Sequence, residues 1–205
     1  MRRDEMRQKT FLRRRLSNLA GACGFHLFQV YYSEKDLSQS IAEIDGPFGL
    51  QITSSLEQDI DNLIQLFDGE DAESLKMSDE AGSECVVARV GDEIAGFSWI
   101  NRKYIYFSDM KICELPPQIS YTYGSFVFPH FRGQNIFQCL TAHVYLMCKA
   151  EGFRYVCNVV DRENYASIAA RSKFCVLLQP IHVLKLPVLG PLVVGRHFIM
   201  GNGAL

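Results

Sequence analysis

The 205-residue chain predicts an α/β (α+β) fold, one layer of sheet with helices on both faces. Two observations carry that expectation. The runs "CVVARV" and "EIAGFSWI" flank Gly91-Asp92, a dipeptide that supplies the positive φ of a tight hairpin turn. From Ile119 onward the pattern becomes strand, helix, strand, helix, strand, which favours a parallel pair joined by a right-handed crossover. An apolar content of 48% is enough to build a core for such a domain.

In chain order, Arg2 to Leu19 reads as a basic helix with an apolar edge at Leu12, Leu16 and Leu19. "FHLFQVYY", Phe25 to Tyr32, has strand composition, and "GLQIT" is a short strand. Ser54-Ser55-Leu56-Glu57 is a capping-box pattern, after which Leu56, Ile60, Leu63, Ile64 and Phe67 recur at helical spacing. The acidic stretch Asp68 to Gly82 holds a second short helix. Asn101 to Gln118 has no clear pattern and ends in Pro116-Pro117. "ISYTYGSFVF" is a strand buried on both sides. Gln134 to Glu151 is a helix with Phe137, Leu140, Val144 and Met147 on one side and Gly152 as its stop. "YVCNVV" is a strand, Tyr165 to Lys173 a helix, "VLLQPIHVLKL" a strand broken at Pro180, and "PLVVGRHFIM" a further strand candidate.

Net charge is -2, so nothing pulls the whole chain toward nucleic acid. The first 15 residues carry seven cations against Asp4 and Glu5, +5 in all, leaving the other 190 at -7. This arm reads as a solvated or unstructured leader. Alternatively, residues 1–20 lie on an anionic membrane surface. Nucleic acid is the least favoured partner, because the remainder is negative and no aromatic residues interleave the cations. The seven cysteines are odd in number and form no CxxC pair, and no His/Cys spacing suits zinc. They read as small buried residues in a reducing cytosol. The apolar tail is interrupted by Gln179, His182, Lys185 and three prolines, a poor membrane span. A soluble, cytoplasmic protein is expected.

The junction "VFPHFRGQNIF", Val127 to Phe137, joins a strand to a helix. A helix start presents backbone N–H groups with no intrahelical partner and the positive end of its dipole. Gly133 has no Cβ to obstruct an approaching anion, and Arg132 adds a forked cation. The loop is chemically fit for a pyrophosphate, yet it is neither a Walker loop nor a dinucleotide fingerprint.

Taken with the hairpin and with "NYASIAARSKFCV", this junction makes Ser83 to Leu186 resemble the GNAT superfamily of acyl-coenzyme A-dependent N-acetyltransferases. Relatives read V-x-P-x-(Y/F)-R-G-x-G-x-(G/A) at the junction and N-x-x-S-x(5)-K-x-G-F at the later motif. The departures are Asn135 for the second glycine, Phe137 for a small residue, and Cys175-Val176 for Gly-Phe. Asn is the non-glycine residue best suited to left-handed backbone, so Asn135 still permits the loop.

The resemblance implies a mostly antiparallel, twisted sheet with one splayed parallel strand pair, opened by a β-bulge. It implies acetyl-CoA, or another acyl-CoA, as the cofactor. Amides of Gly133, Gln134, Asn135, Ile136 and Phe137, with Arg132, would face the pyrophosphate. Phe126, Val127 and Phe128 would pair with the pantetheine arm through main chain. Asn164, three residues before Ser167, would bond the same arm. It also reads equally well as a helix N-cap. The implied reaction is direct attack by a primary amine on the thioester in a ternary complex, with a main-chain N–H of Val127 or Phe128 meeting the carbonyl oxygen.

The proton handlers do not carry over. Where many relatives have a tyrosine general acid in the last motif helix, this chain has Arg171. Where many have a carboxylate on the strand before Val127, it has none. Tyr121 and Tyr123, two apart on one strand face, are candidates for substrate binding or proton relay, with aromatic core or cross-strand packing the favoured reading. Glu114, Tyr165, Asp161 and His130 are further candidates. The acceptor expected is a small metabolite amine, such as an amino sugar or amino acid derivative. A non-catalytic GNAT-like domain that binds acyl-CoA or a protein partner is the alternative, and a homodimer stays open. By this reading, residues 1–46 are a basic extension (helix plus strand) and residues 47–205 the acyltransferase domain.

Overall fold

Eight strands form one sheet, and its two faces are covered by different elements. The structure, a computed structural model, describes residues 26–107, 110–174, 177–186 and 190–194. The basic helix expected over 2–19 and the membrane and nucleic-acid readings of that arm lie outside the described residues, as do Cys23 and Cys175.

The strands are β1 His26–Asp36, β2 Leu50–Ser54, β3 Glu84–Val90, β4 Glu93–Asn101, β5 Tyr104–Phe107, β6 Met110–Glu114, β7 Ile119–Val127, β8 Tyr155–Asp161, β9 Leu177–Leu186 and β10 Gly190–Val194. The helices are α1 Glu57–Leu66, α2 Gly69–Glu80, α3 Ile136–Ala150 and α4 Tyr165–Arg171. The order across the sheet is β10-β9-β1-β8-β7-β4-β3-β2, and β5 pairs with β6 in a separate hairpin. Every pairing is antiparallel except β7 with β8, the strands joined through α3. Residues 26–36, placed by sequence in the extension, form an interior strand between β8 and β9 of this same sheet.

On one face α3 buries Ile136, Leu140, Val144, Tyr145 and Cys148 over Val86, Ala88, Ala95, Ile100 and Val156. The stripe matches the predicted one at Leu140 and Val144 and differs at its ends, where Ile136 and Cys148 are buried while Phe137 and Met147 are only half-buried. On the other face α1 and α2 set Leu63 and Leu75 over Val87, Phe97 and Trp99. The β5–β6 hairpin covers Tyr32, Ile119, Tyr121 and Cys157 beside them. Sequence left this hairpin unread, because each strand spans only four or five residues.

Two local expectations are corrected. The capping box does not form at Ser54–Glu57. Leu56 is the N-cap, and its N–H donates to Asp59 Oδ2 at 2.8 Å while the other Asp59 oxygen pairs with Arg89. Pro180 does not break β9, where it pairs with Tyr31. Among the described residues, the neighbour on the other side, β10, pairs with β9 from Leu186 to His182, short of Pro180.

Candidate active site

The parallel pair is closed at one end only. Ile119, Ser120 and Tyr121 register with Tyr155, Val156 and Cys157, and there the pairing stops. From Thr122 to Val127, β7 keeps β4 alone, and from Asn158 to Asp161, β8 keeps β1 alone. A slot therefore opens between two strands of a continuous sheet.

A bulge sets the opening. Trp99 registers with Tyr123 and Phe97 with Phe126, so β7 uses one residue more than β4 over the same distance. The bulge turns on Gly124, at φ 56. A Cβ there would stand 3.0 Å from Trp99 Cδ1, so both the backbone angle and the indole require glycine.

Beyond the bulge the ladder fixes which amides face the slot. Phe128 N–H donates to Ala95 O at 3.0 Å, a hydrogen-bonded pair. Val127 is therefore the alternate pair opposite Gly96, with its N–H and C=O directed away from β4 and into the slot. The side chains of Phe126 and Phe128 turn the other way, into an aromatic cluster with Phe67 and Phe97 at centroid separations of 5.2 to 6.0 Å. Of the two amides proposed by sequence, that of Phe128 is engaged and that of Val127 faces the opening. Phe128 N–H is thus unavailable to a carbonyl oxygen or a pantetheine arm.

The slot leads to the start of α3. Gly133 has φ 81, and Asn135 has φ 60 and ψ 11, the single positive-φ non-glycine residue among those described. Among the described residues no acceptor sits in hydrogen-bond geometry on the N–H groups from Gly133 to Gln138. The first one engaged is that of Cys139, to Asn135 O at 2.9 Å. The loop 132–135 is exposed. Arg132 folds back, with Nε donating to Val127 O at 3.1 Å and Cζ 5.8 Å from the Phe126 ring. The Asn135 side-chain Nδ2 donates to Asp45 O at 3.3 Å, so the segment after β1 braces the helix start. An Asn135→Ala replacement is expected to cost about 1 kcal/mol from left-handed strain, and Asn135→Gly to be tolerated. Thermal melts of the two variants check this.

The sequence-derived candidates are spread over several elements. Asn164 is the N-cap of α4, accepting from Ser167 N–H at 3.1 Å. Tyr165 is exposed at the first position of that helix. Glu114 is exposed on β6, where it pairs with Tyr104 in the separate hairpin. His130 faces Glu93 at 3.5 Å, and Asp161 accepts from Glu163 N–H at 2.7 Å. Tyr121 and Tyr123 stack at 5.2 Å on the face of α2 and the β5–β6 hairpin. Tyr121 is fully buried, and its hydroxyl donates to Tyr106 O at 2.6 Å. Tyr123 donates to Ser83 Oγ at 2.7 Å, which also accepts from Asn101 Nδ2 at 2.8 Å. Burial pushes both phenols above their ordinary value, so both stay protonated near neutrality. Burial also raises the Cys157 thiol, which leaves it inert as a nucleophile.

Beside Tyr123 lies a pocket of about 100 Å³, walled by Ser74, Met77 and Ser78 of α2, Tyr106 and Phe107 of β5, and Tyr123 itself. Sequence reasoning missed it, because its wall joins α2 to Tyr106 and Phe107 of the unread hairpin and to Tyr123 of β7. It also missed a run of buried and half-buried polar groups along the slot on the α3 face. Ser98 and Ser125 share a 2.8 Å hydrogen bond, Arg171 Nη2 reaches Ser125 Oγ at 3.3 Å, and Asn158 accepts from Ser33 Oγ at 2.8 Å. Phe137, the bulky departure at the helix start, lies against Arg171, with Cζ 5.5 Å from its ring.

No group of three or more His, Cys, Asp or Glu side chains among the described residues is placed to hold a metal. No described helix is long and apolar enough to cross a membrane.

No known family's sequence pattern matches the chain, and no curated protein matches it. Solved structures do. A conserved protein of unknown function from Staphylococcus epidermidis is 17% identical at a TM-score of 0.55, covering 80% of this chain and 64% of its own. The glucosamine N-acetyltransferase region of a fungal multi-domain β-N-acetylglucosaminidase is 13% identical at 0.55, covering 83% and 22%. A GCN5-related N-acetyltransferase from Sphaerobacter thermophilus is 14% identical at 0.52, covering 89% and 57%. The chain thus spans less than two thirds of each of these structures, and the likeness is one of fold.

Proposed function

We propose that this chain, whose fold is that of the GNAT N-acetyltransferases, transfers an acetyl or other acyl group from coenzyme A to the primary amine of a small metabolite. One observation carries the reading. The parallel strands part after three residue pairs, and the opening runs from the Val127 amide to six amides at the start of α3 that no acceptor among the described residues engages. A diphosphate needs such a set of N–H donors at a helix start, and an extended amide-bearing arm needs an unpaired strand edge. Acyl-CoA has both parts and supplies a thioester activated toward amines.

In this reading the amides of Gly133 to Phe137 hold the diphosphate. Arg132 lies beside them and releases Val127 O when the arm pairs there. Val127 N–H meets the acyl carbonyl oxygen, where negative charge builds during attack. Asn164 and Ser167 border the arm from the start of α4. The pocket beside Tyr123 receives the acceptor. Its hydroxyls and aromatic walls suit a compact, hydroxylated amine, and likeness to a glucosamine N-acetyltransferase region supports an amino sugar or a similar body. Tyr123 O–H donates to Ser83, so its oxygen accepts from substrate there, and burial, which raises the phenol, keeps it protonated and no base.

A second reading has one observation behind it. Among the described residues, no carboxylate lines the pocket to take a proton from the incoming ammonium. A domain that binds acyl-CoA without turnover would have no use for one.

Thermal shift with acetyl-CoA and coenzyme A, followed by thiol release with a panel of amino sugars and amino acid derivatives, tests both. The transferase reading expects a raised midpoint and turnover with some panel members. A raised midpoint with no turnover supports the second reading. No shift with either ligand contradicts both.

A further inference from the structure

We propose that Arg171 is a catalytic residue of the acyl transfer, its guanidinium holding the coenzyme A sulfur as a thiolate when the carbon–sulfur bond breaks. The inference rests on the acyl-CoA reading above and adds the group that receives the leaving charge.

Arg171 ends α4 and is 6% exposed. Arginine keeps its charge at any working pH, so a buried guanidinium is a fixed cation that the surrounding structure must hold. This one points across the slot. Its Nη2 reaches Ser125 Oγ at 3.3 Å, and Ser125 Oγ is itself held by Ser98 Oγ at 2.8 Å. Ser125 follows the bulge glycine, on the stretch of β7 that no longer pairs with β8. The same guanidinium faces Phe137 at the start of α3, 5.5 Å from the ring. Its field reaches Tyr121, where it opposes part of the upward push from burial. A helix end, a strand bulge and a helix start thus bring one positive charge to the unpaired stretch of β7, beside Ser125 and two residues before Val127. A hydroxyl there would deliver a proton to sulfur, but a guanidinium delivers charge alone.

The step balances without a general acid. The amine nitrogen forms its bond to the acyl carbon, the carbon–sulfur bond breaks, and its electron pair stays on sulfur. The proton on nitrogen passes to water in the open slot. The thiolate leaves unprotonated, its charge offset by Arg171.

Equilibrium binding tests this without turnover. The intact protein is titrated calorimetrically with coenzyme A and with desulfo-coenzyme A, in which hydrogen replaces the thiol, between about pH 6 and about pH 9.5. A free thiol titrates near ~8.5, and a cation at contact lowers that value in the complex. Binding then releases a proton, and coenzyme A gains affinity over its desulfo analogue by about tenfold for each unit the thiol is lowered. The ratio of the two dissociation constants is expected to move about tenfold or more with rising pH in the native chain, to stay flat in Arg171→Gln, and to be partly restored in Arg171→Lys. With an active acceptor, Arg171→Gln is expected to lose about 10²-fold in kcat with KM for acetyl-CoA little changed.

A flat ratio in the native chain overturns the role of Arg171 while tight coenzyme A binding leaves the acyl-CoA reading standing. If neither ligand binds, that reading falls and takes this one with it. Should Arg171→Gln fail to fold, the native titration decides alone.

Discussion

Replacing Val127 with proline is expected to lower kcat/KM for acetyl-CoA by about 10²- to 10³-fold while leaving the sheet intact. The Val127 N–H makes no bond to β4, because the neighbouring pair, Phe128 with Ala95, carries the ladder bond. Proline at 127 therefore removes one slot-facing donor, and its ring narrows the opening, without breaking a strand–strand hydrogen bond. Phe126 is already extended, as a residue before proline must be. Phe128→Pro is the control with the opposite signature. It deletes the N–H that holds Ala95 O and costs about 1 kcal/mol or more of stability. Steady-state kinetics beside thermal melts separates the two. Equal losses of stability in both variants would contradict the assignment of the Val127 amide to the slot.

Gly96→Val is expected to damage fold and site together. A Cβ at Gly96 would stand 2.6 Å from Phe126 O and 3.3 Å from Val127 Cγ2. The first of these contacts is backbone, so relief requires β4 and β7 to separate where the slot begins. Overpacking of this kind costs about 1–3 kcal/mol. At 205 residues that is a fall in Tm of about 3–10 °C. Displacing the end of β7 also moves Val127, so acetyl-CoA affinity is expected to fall by about tenfold even at temperatures where the variant stays folded. Differential scanning calorimetry with and without ligand gives both numbers. A native Tm would contradict the close β4–β7 approach.

How much of this was legible beforehand follows from which interactions are local. The hairpin at Gly91-Asp92, the α3 helix and the loop through Asn135 are written in adjacent residues. The sequence reading of Asn135 as a left-handed position agrees with its φ of 60. The parallel β7–β8 pair follows from strand-helix-strand order alone. The capping of α1 was displaced by two residues because Asp59 serves the helix start and Arg89 at once, and Arg89 lies 30 positions away. The β5–β6 hairpin escaped notice because strands of four and five residues give too few alternations to read. The insertion of β1 between β8 and β9 depends on pairings more than 120 residues apart in sequence, as in Ser33 with Asn158. The Tyr123 pocket and the Arg171–Ser125 contact are likewise built from distant segments. Arg171 was legible only as a departure, a cation where relatives carry a phenol. Its burial and its reach across the slot come from the fold.

The central claim is that acyl-CoA lies in the opening between β7 and β8 with its diphosphate on the start of α3. Titrating the ¹⁵N-labelled chain with acetyl-CoA and following each backbone amide tests it most directly. Saturable shifts concentrated at Val127 and from Gly133 to Gln138, with Phe128 and the β3–β4 turn little changed, are the expected result. Unmoved amides at those positions under millimolar acetyl-CoA, or shifts gathered on another surface, would contradict it.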